Sequence, residues 1–100
     1  DGFEIGAAAT FGEGRDSIVG CIHPQSILDA IDVIISSATT PLDAIFISCT
    51  SLKCATIIAI AEAQYGIPVI SSNSAIAWDM ARLARLAMLA NEKGLLFQQN

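Results

Sequence analysis

The sequence predicts an α/β fold, a three-layer parallel sheet with helices packed on it, in the order β-α-β-α-β-α. Two apolar runs, Asp43–Ser48 (DAIFIS) and Ile67–Ser71 (IPVIS), show no polar alternation and suit strands covered on both faces. Segments beside them carry apolar residues at helical spacing. All links but one are short, and strands joined through helices in this way run parallel with right-handed crossovers.

Taken in order, Phe3–Thr10 (FEIGAAAT) reads as a first strand of short side chains. The long connection Phe11–His23 follows, broken by Gly12, Gly14 and Gly20. Pro24 suits the first turn of a helix running from Gln25 to about Ser37. There Ile27, Leu28, Ile31, Ile34 and Ile35 share one face, with Asp29 and Asp32 on the other. After Thr39-Thr40-Pro41 and the second strand, a helix is expected from about Leu52 to Tyr65, stopped by Gly66. The third strand leads into a last helix, from about Asn73 to Met88, with Asp79, Arg82 and Arg85 on its wet side.

One hundred residues allow one domain with a modest core. The chain is 53% hydrophobic and only 15% charged, which excludes a disordered tail. So apolar a surface points to association with further copies of the chain or to a piece of something larger. The start at Asp1-Gly2, with no initiator Met or signal layout, carries the same expectation of a longer sequence. Ten acidic residues against five Lys and Arg, none clustered, exclude nucleic-acid or anionic-membrane binding through a basic surface. No apolar run reaches the roughly 18 residues of a membrane span. Cys21, Cys49 and Cys54 fit neither a disulfide frame nor a zinc site, and read as reduced thiols in a cytoplasmic protein.

In open parallel sheets ligands bind beyond the carboxyl ends of the strands. Phe11–His23, Cys49–Lys53 and Ser71–Ser74 lie at that edge. Cys49 follows a buried strand and is expected to precede a helix, whose free N–H groups and dipole favour thiolate. Such a thiolate is a nucleophile or a base toward carbon, although a cysteine ending a strand also serves as a small apolar filler. Thr50 and Ser51 add hydroxyls that cap a helix or donate to an anion. Ser71-Ser72-Asn73-Ser74 opens the last helix and offers a seat for a carboxylate or phosphate, or simple capping. Cys54 shares a helical face with Ile57, Ile58, Ala61 and Tyr65 and reads as core; Trp78 does too, while Arg15 and Asp16 are open either to pair with each other or to reach a substrate. Gly12-Glu13-Gly14 is not a dinucleotide fingerprint, because Ser17 stands where the third glycine belongs.

The runs DAIFISCTSLK and YGIPVISSNSAIAW, continued by DMARLA, resemble the carboxy-terminal half of the aspartate/glutamate racemase superfamily. The nearest branch holds maleate cis-trans isomerases, arylmalonate decarboxylases and ectoine-utilisation proteins. Thr10-Phe11, Asp16, Val19, Ile22 and Pro24 also fall where that branch has S-F, D, V, I and P. The resemblance implies two pseudo-symmetric halves facing across a cleft, residues 1–88 forming the second and 89–100 a tail packing on the missing first. It implies that Cys49 delivers or removes a proton opposite a residue of that first half. Thr50, by the same resemblance, would help hold a small carboxylate substrate, which Ser51, Ser72 and Asn73 are expected to bind from their place at the same edge. No metal, flavin or pyridoxal cofactor is implied.

The expected activity is that of an isomerase or racemase of a small (di)carboxylate. A malonate-type decarboxylase and a non-catalytic carboxylate-binding relative are the alternatives. The branch commonly has Asn where this chain has Ser51, and often Asn and Arg at the positions of Gly12 and Cys21.

Overall fold

The computed structural model describes residues 2–87 and 94–99. Its elements are α1 (Asp16–Val19), α2 (Pro24–Ser37), β1 (Ile45–Ile47), α3 (Ile58–Tyr65), β2 (Val69–Ser71) and α4 (Ser72–Leu83), followed by a 3₁₀ turn at Leu95–Gln98. The strands pair in parallel, with Ile45 opposite Val69, Phe46 opposite Ile70 and Ile47 opposite Ser71. The crossover between them is α3, so the α/β class with a parallel sheet and covering helices holds.

Pro24 opens α2, where its missing N–H costs nothing, and His23 caps the helix by accepting the Gln25 N–H at Nδ1 (3.1 Å). Ile27 and Ile31 are buried while Asp29 and Asp32 face water, as the spacing predicts. Gly66 ends α3 at a φ of 71°, its N–H returned to the Glu62 carbonyl. The core joins Ile27 and Ile31 to Ile45, Leu52, Cys54, Ile57, Ile58, Ala61 and Val69.

Four elements depart from expectation. Phe3–Thr10 makes no strand: Phe3 and Ile5 are 94% and 82% exposed, and the segment passes Leu42 near Gly6 without joining the sheet. A strand is a pairing relation, and Gly6 to Ala9 bury too little apolar area to enforce one. The sheet is therefore two-stranded. Within the long connection, Asp16–Val19 forms one helical turn that buries Val19, and Arg15 pairs with Glu13 at 2.9 Å instead of with Asp16.

The second crossover helix begins at Ile58 instead of Leu52, because residues up to Ile57 form turns closed by Ile57 and Ile58 N–H bonds to the Cys54 carbonyl. The last helix stops at Leu83. Arg85 takes a φ of 55°, and the Leu86 N–H returns to the Ala81 carbonyl at 2.9 Å, a Schellman closure. The expected end at Met88 lies outside the described residues.

Trp78 is half-buried, not core. Its Nε1 donates to the Gln99 carbonyl (3.3 Å), and Arg82 lies over its ring at 5.7 Å. Of the tail 89–100, the described part carries Phe97, buried in contact with this chain's own elements, since the 3₁₀ turn packs on α4 and β2. Among the described residues no helix is long and apolar enough to cross a membrane.

Candidate functional site

The register of the two strands decides the site. Ile47 lies opposite Ser71, so the chain leaving β1 meets the first residues of α4 side by side. Ser71 is 3% exposed and caps α4 in a reciprocal box: its Oγ accepts the Ser74 N–H (3.0 Å), and Ser74 Oγ accepts the Ser71 N–H (2.9 Å). This fixes how α4 enters. Ser72 and Asn73 then reach across to the other loop. The Cys49 N–H donates to Ser72 Oγ at 3.1 Å, and Asn73 Nδ2 donates to the Thr50 carbonyl at 2.9 Å.

Cys49 itself has a φ of 109°, in the half of conformational space that residues with a side chain rarely enter. Such backbone costs about 1–3 kcal/mol and persists only where the surroundings over-determine it, commonly at functional positions. The side chain is half-buried and packs on the core beside Ile47. The helix expected to follow it is not there, since α3 starts nine residues on, at Ile58. The helix whose first turn adjoins Cys49 is α4, reached through the sheet and not along the chain.

Beside this edge lies a cavity of about 520 Å³. Its polar rim includes Thr50, Ser51, Lys53 and Asn73, and its apolar wall includes Leu52, Ile58, Ala77 and Phe97. Of the five residues singled out by sequence, Thr50, Ser51 and Asn73 line this space. Cys49 and Ser72 stand next to it, bonded to each other. Lys53 and Phe97 are additions. Lys53 is legible as the one cation in the DAIFISCTSLK block; Phe97 belongs to the apolar run Leu95-Leu96-Phe97, which asks to be covered, but only the fold brings residue 97 to residue 58.

Cys54 is 3% exposed, and burial, then the neighbouring Cys49, push its thiol above the ordinary range. Cys21 is exposed, just past the end of α1, and its Sγ lies 3.3 Å from the Ser17 carbonyl. Among the described residues no group of three side chains is gathered for a metal ion.

Glu62 is a further residue that the sequence pattern does not mark. It is 7% exposed on α3, where Oε1 accepts the Val69 N–H (3.0 Å) and Oε2 the Leu95 N–H (2.9 Å). One carboxylate thus ties the crossover helix to β2 and to the turn that carries Phe97.

Residues 2–97 match the family model described as arylmalonate decarboxylase. The chain belongs to that family. Its fold is similar to a solved structure of a cysteine-for-glycine mutant of arylmalonate decarboxylase in the sulfate ion associated form. The TM-score is 0.76 at 26% identity, covering 91% of this chain and 39% of that one. The chain therefore spans well under half the length of this relative, whose family lies within the racemase-like superfamily. No curated protein matches the sequence at a significant level.

Proposed function

We propose that this family member is one half of an enzyme that works without a cofactor at the carbon beside a small carboxylate, with Cys49 as its proton donor. The observation that carries the reading is Cys49 held at a φ of 109° at the carboxyl edge of the parallel sheet, with a half-apolar cavity alongside. In a malonate-type decarboxylation the bond to the departing carboxyl breaks, and its electron pair passes into the remaining carboxylate as an enediolate. The Cys49 S–H then protonates carbon, and the thiolate regains its proton from water. Donors at Thr50, Ser51 and Lys53 suit the anion, and Leu52, Ala77 and Phe97 suit an apolar substituent.

The match of residues 2–97 to the arylmalonate decarboxylase family supports decarboxylation. A racemase or cis-trans isomerase is the second reading, favoured by the S-C-T block at 48–50. In that case the same thiol exchanges a proton with a partner residue in a facing half. Exposed Ile76, Met80 and Leu83, spaced four and three along α4, support a surface covered by such a half or by a second copy. A panel of arylmalonates, maleate, aspartate, glutamate and hydantoins, given to the complete protein with nothing added, separates the readings by product. Cys49→Ala is expected to abolish turnover while the circular dichroism spectrum is unchanged. Full activity in that variant sinks the mechanism.

A further inference from the structure

Ser72 and Asn73 open a helix at the ligand edge, which invites the reading that they hold substrate. Their bonds point elsewhere. Ser72 Oγ accepts the N–H of Cys49, and Asn73 Nδ2 donates to the carbonyl of Thr50, each across 23 positions of sequence. The two contacts bracket the Cys49–Thr50 peptide, one on the amide entering Cys49 and one on the carbonyl leaving Thr50. Between them lies the backbone at a φ of 109°. A free chain leaves that conformation readily, so something must hold it. The holders are themselves held: Ser71 and Ser74 fix the first turn of α4, and Ser71 is registered on Ile47.

We infer that Ser72 and Asn73 are positioning residues that clamp Cys49 in its strained conformation and so aim its thiol. This rests on Cys49 being the proton donor. The clamp also explains why polar residues stand together here beyond what capping needs. Ser71 and Ser74 cap the helix, and Ser72 and Asn73 are turned to the neighbouring loop.

The test uses the complete protein and two readouts. In kinetics, Ser72→Ala and Asn73→Asp are expected to lower kcat about tenfold or more while KM moves less than about twofold. Asn73→Asp keeps the shape of the side chain but removes the donor, and Ser72→Thr keeps the hydroxyl and should restore most of kcat. In urea unfolding, glycine adopts positive φ without strain, so Cys49→Gly removes the strain that the clamp works against. With cysteine, part of the midpoint loss caused by Ser72→Ala is returned as the backbone relaxes, so that loss should be larger in the Cys49→Gly background.

A KM raised about tenfold at unchanged kcat assigns the two residues to substrate and overturns the inference. Strictly additive midpoints overturn it as well. The unfolding cycle needs no substrate, so it decides the clamp even if Cys49→Ala remains active and the proposed chemistry falls.

Discussion

Removing the Glu62 carboxylate tests how the site's wall is held. Glu62→Ala strands two amide N–H groups, those of Val69 and Leu95. A hydrogen bond to a charged acceptor contributes about 1.5–3 kcal/mol, and the Val69 bond is fully buried, so its amide finds no water in exchange. The Leu95 bond is half-buried, so part of its loss is regained from solvent. Taking about 2 kcal/mol for the first and about 1 for the second gives a destabilisation of about 3 kcal/mol.

With a urea slope of about 1.5 kcal/mol/M, the unfolding midpoint falls by about 2 M. Glu62→Gln keeps one acceptor oxygen and presents an amide to the other N–H, so it should lie between wild type and alanine. Hydrogen exchange supplies the local readout: the Leu95 amide should lose protection in Glu62→Ala. Phe97 follows Leu95 by two residues and walls the cavity, so a loosened turn should also weaken substrate binding. A midpoint shift of Glu62→Ala below about 0.3 M, with Leu95 protection unchanged, refutes this account of the clasp.

The remaining expectations concern neighbouring groups. Gly94 has a φ of 94°, and a Cβ there would lie 2.9 Å from Ile58 Cγ2 and 3.0 Å from Glu62 Oε2, so Gly94→Ala should cost about 1–3 kcal/mol in urea unfolding. Iodoacetamide followed by mass spectrometry should label exposed Cys21 and half-buried Cys49 ahead of Cys54, and equal rates for Cys49 and Cys54 would contradict the burial. Because Cys54 is raised in the fold, its neutral thiol contributes stability below the ordinary thiol value of about 8.5 that is lost as pH rises through the folded value. Cys54→Ala should therefore flatten the alkaline fall of the urea midpoint. Lys53→Gln should raise KM about threefold with little change in kcat, an effect that salt diminishes, as befits an exposed cation on the cavity rim.

Periodic segments were legible. The face of α2 and the stop at Gly66 follow from spacing and from single residues with one strong conformational preference; the apolar run of β1 gives a strand, but Phe46 is 64% exposed, so this chain does not cover both of its faces. Phe3–Thr10 misleads because apolar content alone does not supply a neighbour to pair with. The start of α3 misleads because Leu52 and Cys54 are buried by turns as readily as by a helix. At the candidate site, the S-C-T block draws attention to Cys49 and Thr50. Glu62 did not stand out, since a buried carboxylate looks in one dimension like an exposed charge, and the apolar run at Leu95–Phe97 asks for cover without saying which element supplies it.

The sequence by itself determined the α/β class, the membership announced by its two motif blocks, and the loop on which Cys49 stands. These depend on local pattern, and local pattern survives without knowledge of contacts. Only the tertiary structure decided how that thiol is presented. The helix turn beside Cys49 comes from α4 through the parallel register, its backbone is bracketed from 23 residues away, and the cavity wall is closed by a turn tied to Glu62. Each is a contact between distant segments, set by how the strands align and what the core buries, and no window of sequence contains both partners.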